Sequence, residues 1–152
     1  PDAMEALRTV LVPKATVLTP NLPEAAQLLD LSEARDRSEM AQQARALTAL
    51  GPKTVLVKGG HLPGDESPDV LWDSGKLHWF ENRRISTKNT HGTGCTLSAS
   101  LAAFIAKGLS PCSAVAQATE YVSGAIAAAD HQSVGTGHGP IQHFYNLWRN
   151  GL

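Results

Sequence analysis

The sequence predicts an α/β domain built on a parallel sheet, and three observations carry that expectation. Two short apolar runs of strand composition, Ala15 to Thr19 and Thr54 to Lys58, are separated by two segments of helical spacing, the pattern of a right-handed βαβ crossover. The second run closes in Lys58-Gly59-Gly60-His61, which sets a cation and two glycines at the carboxyl end of a strand. The stretch Thr87 to Leu101 then runs a glycine- and threonine-rich turn into a further helix.

The elements follow in order. Pro1 to Leu11 reads as the tail of a helix, with Met4, Leu7 and Leu11 on one side. Ala15 to Thr19 is a buried strand, and Pro23 to Leu31 and Ser38 to Leu50 are helices, the second stopped by Gly51. Thr54 to Lys58 returns as a second buried strand. His61 to Asp69, with its prolines, glycine and acidic residues, has two readings, a flank of a bound nucleotide and, by default, a solvated connector. Val70-Leu71-Trp72 and Leu77-His78-Trp79-Phe80 flank Asp73-Ser74-Gly75-Lys76, a hairpin at a sheet edge. Thr96 to Lys107 is small, apolar and helix-compatible, with Gly108 as its stop. Pro111 to about Asp130 carries Val115, Ala118, Tyr121, Val122, Ala125, Ile126 and Ala129 as a core-facing stripe. Ser133 to Pro140 is a second loop, where His131 and His138 lack a third ligand at a recognisable metal spacing.

Composition excludes several function classes. With 152 residues and 42% hydrophobic content, the chain can bury a substantial core. Its formal net charge is -1 with both signs scattered, so no basic patch points to nucleic acid or a membrane surface. No apolar stretch reaches the ~20 residues that span a bilayer. The two cysteines, Cys95 and Cys112, have no metal or disulfide spacing and suit a reducing, cytoplasmic setting. Cys112 follows Ser110-Pro111, a helix cap and first-turn proline, and reads as structural.

Three segments carry chemistry. Gly92 and Gly94 let the backbone turn tightly, so peptide N–H groups converge at the positive end of a helix dipole, where a phosphate or developing anion is favoured. Cys95 falls in the first turn of that helix, a position that favours a thiolate acting as base or nucleophile; its other reading is a small residue filling a turn. Asn21 and Glu24 lie three positions apart, just beyond the first strand. That pair suits a hydrated magnesium ion, and it equally suits a helix capping box. Lys58 points into a ligand crevice or is a solvated strand end.

The ordered set TPNLPEA, VKGGH and NTHGTGCTLSA, with the closing GHGP, IQHF and YNLW, resembles the C-terminal part of the hydroxymethylpyrimidine/phosphomethylpyrimidine kinases of thiamine biosynthesis, in the ribokinase-like superfamily. The resemblance covers almost the whole chain. It implies a three-layer, Rossmann-like α/β fold with a mainly parallel central sheet. It also implies ATP-dependent phosphorylation of 4-amino-5-hydroxymethyl-2-methylpyrimidine and of its monophosphate. Cys95 resembles the base that takes the hydroxymethyl proton, and Gly92, Thr93 and Gly94 resemble the anion hole. Lys58, Gly59 and Thr90 look like parts of the ATP side. Asn21 and Glu24 match the motif that holds Mg2+ through water. A cytoplasmic homodimer acting on a small molecule is what the family implies. A cysteine-type pyridoxal kinase shares this phosphate machinery, and a non-catalytic nucleotide-binding relative is a further alternative. Residues 1–152 are thus expected to be the ATP- and phosphate-side portion of a single kinase domain. The N-terminal, substrate-side half is expected to be missing from these residues, and the fragment alone to be poorly active.

Overall fold

The computed structural model describes residues 3–131 and 134–149, and the chain divides into two compact units, Pro1–Arg84 and Ile85–Leu152.

The first unit opens with helix α1 (Ala3–Ala6), which continues through a π-turn at Leu7–Leu11 and a 3-10 turn at Val12–Lys14. The wider π-turn shifts the phase of the apolar positions. Leu7 and Leu11 are therefore exposed, contrary to the expected one-sided stripe, and Val12 takes the buried place beside Met4. Strand β1 is only Val17–Leu18 and half-buried, shorter than expected. Its ladder to β2 (Thr54–Lys58) is interrupted at Pro20, which has no N–H to donate, and resumes as a bridge between Asn21 and Lys58.

Helices α2 (Leu22–Leu29) and α3 (Arg37–Ala46) make the crossover, and a 3-10 turn, Leu47–Leu50, carries α3 to Gly51. Gly51 has φ 120, and a Cβ there would lie 2.7 Å from the Pro13 Cα. Leu22, Ala25, Leu28, Met40, Ala44 and Leu47 pack on Val55, Val57 and Val70 as one core. Leu56 and Leu71, paired across the opposite face, are also fully buried.

Strands β3 (Asp69–Asp73) and β4 (Lys76–Phe80) form the expected hairpin, with Ser74 and Gly75 both at positive φ. The strand order is β1-β2-β3-β4. The mainly parallel sheet expected above is mixed within this chain: β1 and β2 run parallel, and β2–β3 and β3–β4 are antiparallel. The two-residue hairpin turn forces the last pairing, because no helix is inserted to reverse the chain again.

In the second unit, α4 (Thr93–Ala106) packs along α5 (Pro111–Ala127), burying Leu97 and Leu101 with Val115, Ala118 and Val122. Gly108, at φ 90, ends α4 as expected. The Gly108 N–H donates to Ile105 and the Leu109 N–H to Phe104, closing the last carbonyls of the helix. A 3-10 turn, Ala129–His131, follows α5, and α6 (Tyr145–Arg149) closes the described residues. The Tyr145 ring lies against Gly124, where a Cβ would come within 2.3 Å of it. Ser133, expected in the second loop, lies outside the described residues. Among the described residues, no helix is long and apolar enough to cross a membrane.

Candidate active site

In the first unit the carboxyl end of β2 and the start of α2 are neighbours. The Lys58 N–H donates to the Pro20 carbonyl at 2.9 Å, which brings Lys58 beside Asn21. Asn21 is the N-cap of α2. Its Oδ1 accepts from the Glu24 N–H at 2.8 Å, and Glu24 Oε2 accepts from the Asn21 N–H at 2.8 Å. The capping box is therefore fully formed. One oxygen of each side chain is committed to it, while Glu24 stays exposed.

Gly59 is buried, and its N–H donates to Asp69 Oδ1 at 3.0 Å. A Cβ at Gly59 would stand 1.9 Å from the Pro68 carbonyl oxygen. Glycine is thus required here for close backbone packing. The sequence predicts the end of a loop at Asp69, yet it is the first residue of β3 and only 7% exposed. Asn82 Nδ2 donates to its Oδ2 at 3.0 Å, and Lys58 faces it in the ladder. No local signal in Pro-Gly-Asp-Glu-Ser-Pro-Asp separates this carboxylate from its exposed neighbours.

Burial pushes the Asp69 carboxyl up to about 6, against the pull of the Gly59 N–H, the Lys58 charge and the Asn82 amide. The folded value lies above the ordinary 3.8, so the folded chain keeps a proton that the unfolded chain has released. The stability tied to this group is complete below about pH 4 and lost as pH rises through about 6. The expected loss is about 2–3 kcal/mol. Urea unfolding of wild type and Asp69→Asn across this range should show the difference between them changing by that amount. A difference constant with pH would show that Asp69 does not titrate there.

In the second unit, residues Thr87 to His91 are tied down before the helix. The Thr87 hydroxyl donates to Asp130, the Asn89 N–H donates to Thr87 Oγ1 at 3.1 Å, and Asn89 Nδ2 donates to the Ala129 carbonyl at 2.8 Å. The His91 N–H donates to the Gly139 carbonyl at 3.0 Å. Thr90 is exposed, and its carbonyl accepts a 3.4 Å bond from the Thr93 N–H. These anchors lie about forty residues from the loop in sequence, beyond what local spacing reveals.

Gly92 is the N-cap of α4, at φ 86, where a Cβ would meet nothing within 4 Å. Its backbone conformation, not space, calls for glycine. Thr93, Gly94 and Cys95 form the first turn, so α4 starts three residues before the expected Thr96. Helices α2, α3 and α5 each receive a side-chain cap, from Asn21, Asp36 and Ser110, whereas α4 receives none. The Gly94 and Cys95 N–H groups have no protein acceptor among the described residues. Such donors, aligned with the helix dipole, hold an anion. Cys95 is exposed among them, and Cys112, on the first turn of α5, is half-buried.

Along the flank of α4 runs an open groove of about 590 Å³, from Cys95 and Thr96 past Ala99 and Ala103 to Lys107. His143 Nε2 lies 3.0 Å from Thr96 Oγ1, and the Tyr121 hydroxyl donates to the His143 carbonyl at 2.8 Å.

Residues 1–142 match the sequence family described as phosphomethylpyrimidine kinase. The chain is 48% identical over 150 residues to the hydroxymethylpyrimidine/phosphomethylpyrimidine kinase of Rhizobium meliloti, covering 99% of this chain and 56% of that protein. It thus spans about half the length of the curated relatives it matches. Among solved structures, the ADP complex of Bacillus subtilis pyridoxal kinase superposes with a TM-score of 0.90 at 36% identity, over 97% of this chain and 57% of that one. The phosphomethylpyrimidine kinase of Clostridium difficile gives 0.69 at 32% identity, over 81% of this chain and 48% of that one. The fold is ribokinase-like.

Proposed function

From a chain that belongs to the phosphomethylpyrimidine kinase family, we propose that the whole protein transfers the γ-phosphoryl group of ATP to 4-amino-5-hydroxymethyl-2-methylpyrimidine and then to its monophosphate. The observation that supports this most is the helix start at Gly92: α4 alone among the four longer helices lacks a side-chain cap, and it presents an exposed thiol among its unpaired N–H groups.

Phosphoryl transfer needs little covalent help from a protein. It needs positioning and donors aimed at the charge that spreads over the transferred group. Gly94 and Cys95 supply such donors from the backbone, Gly92 sets their direction, and Thr93, whose N–H has a long 3.4 Å bond to the Thr90 carbonyl, completes the turn of the anion hole. Cys95 takes the proton of the attacking hydroxymethyl oxygen as that oxygen bonds to phosphorus, and ADP leaves with the bridging oxygen. Lys58 and Gly59 in the first unit, and Thr90 in the second, are each assigned to nucleotide contacts by the resemblance. Gly59 contributes shape there, since its N–H already serves Asp69.

The Asn21 and Glu24 pair fits a hydrated Mg2+ held through water, because Glu24 is exposed and keeps Oε1 outside the capping box, while the single side-chain oxygen of Asn21 is engaged by the Glu24 N–H and would meet the hydrated ion only with its remaining lone pair. Bound beside the nucleotide, that ion would offset phosphate charge. Glu24→Gln separates this role from capping, because a glutamine oxygen still accepts from the Asn21 N–H. The half-saturating Mg2+ concentration in ATP turnover should rise several-fold with folding intact. A magnesium titration that superimposes on wild type would leave the pair as a cap only.

A second reading, phosphorylation of pyridoxal, draws on the closeness of the Bacillus subtilis fold. The test is kcat/KM of the full-length enzyme for the two alcohols side by side. The pyrimidine should be preferred by about tenfold or more; a preference for pyridoxal would overturn the substrate assignment.

A further inference from the structure

The segment from Gly59 to Pro68 leaves the carboxyl end of β2, where ligands of open α/β sheets bind. Its composition is that of a solvated connector or a nucleotide flank, and ordering such a segment costs backbone entropy at every residue. One side chain gathers it. Arg84 donates from Nη1 to the Gly60 carbonyl at 2.9 Å, from Nη2 to Leu62 at 2.7 Å and from Nε to Gly64 at 2.9 Å, with a longer contact from Nη2 to Glu66 at 3.3 Å. Carbonyls of alternate residues thus converge on one guanidinium. The Arg84 N–H also donates to the Asp65 carbonyl at 2.9 Å.

The base of the loop is tied separately. The Ser67 N–H donates to the Asn82 carbonyl at 2.8 Å, and Asn82 Nδ2 donates to the Ser67 carbonyl at 3.1 Å and to Asp69 Oδ2 at 3.0 Å. Glu66 is also paired with Arg37 at 3.0 Å. Only arginine has a planar fork of donors able to serve several carbonyls at once; an ammonium is a point charge without that geometry.

We propose that Arg84 is a positioning residue that holds the Gly59–Pro68 loop as a preformed wall for the nucleoside di- or triphosphate beside Lys58. Arg84 acts through the loop and does not touch the nucleotide. This rests on the kinase reading above, since it supplies the nucleotide.

The test uses the full-length enzyme, wild type and Arg84→Lys, with Arg84→Gln as a second variant should the first fold poorly. Three quantities are read: ADP affinity by calorimetry, steady-state kinetics in ATP, and amide hydrogen exchange across residues 60–66. In Arg84→Lys the exchange should accelerate, Kd for ADP and KM for ATP should rise about tenfold, and kcat at saturating ATP should stay within about threefold of wild type. Faster exchange with unchanged ADP affinity would show that the loop is not a nucleotide wall and overturn the proposal, as would unchanged exchange. Failure of wild type itself to bind ADP or consume ATP would instead overturn the kinase reading.

Discussion

Cys95→Ala in the full-length enzyme should lower turnover of the pyrimidine alcohol by about 10²-fold or more, the scale on which a positioned general base contributes. ATP affinity should stay nearly unchanged, because the α4 N–H groups belong to the backbone and survive the substitution. Alanine is the strongest helix former, and Cys95 is exposed in the first turn, so no cavity opens and α4 persists. The loss should therefore fall on kcat and kcat/KM together, the pattern of an interaction made in the transition state. Steady-state kinetics in both substrates decide it. Turnover at the wild-type level would remove Cys95 from the chemistry and leave it a turn-filling residue.

The features legible in the sequence are those set by neighbours a few residues apart. The hairpin follows from Asp73-Ser74-Gly75-Lys76 between two strand-like runs, and the end of α4 follows from Gly108, the residue that tolerates its positive φ. The Asn21–Glu24 cap was likewise one of two open readings, because its geometry spans three residues. What escaped depends on distant partners or on small changes of phase. One π-turn was enough to turn Leu7 and Leu11 outward, and one proline shortened β1. Asp69 is buried because Gly59 and Asn82 reach it from ten and thirteen residues away. Arg84 collects carbonyls eighteen to twenty-four residues upstream. The candidate site was therefore readable as motifs, while the residues that hold those motifs in place were not.

Gly59→Ala should destabilise the fold by about 3 kcal/mol or more, at the upper end of what overpacking costs. The reason is purely steric, since Gly59 does not hold a positive φ. Its added Cβ would sit 1.9 Å from the Pro68 carbonyl oxygen, 3.0 Å from the Pro68 carbonyl carbon and 3.2 Å from the Met40 Cε. The methionine end can swing aside, but Pro68 is main chain directly before β3, whose first residue, Asp69, is locked in the ladder opposite Lys58. Separating the two strands enough to admit a methyl group would stretch the 3.0 Å bond from the Gly59 N–H to Asp69 and leave a buried carboxylate short of a donor. Gly60→Ala is the internal control. Its Cβ would meet only Ser67 Oγ, at 3.6 Å, an ordinary contact, so its effect should stay within about 0.5 kcal/mol. Urea unfolding of both variants measures the contrast directly. If Gly59→Ala falls within about 1 kcal/mol of wild type, the backbone here is free to move, and the glycine must then be explained by what approaches it from outside the chain.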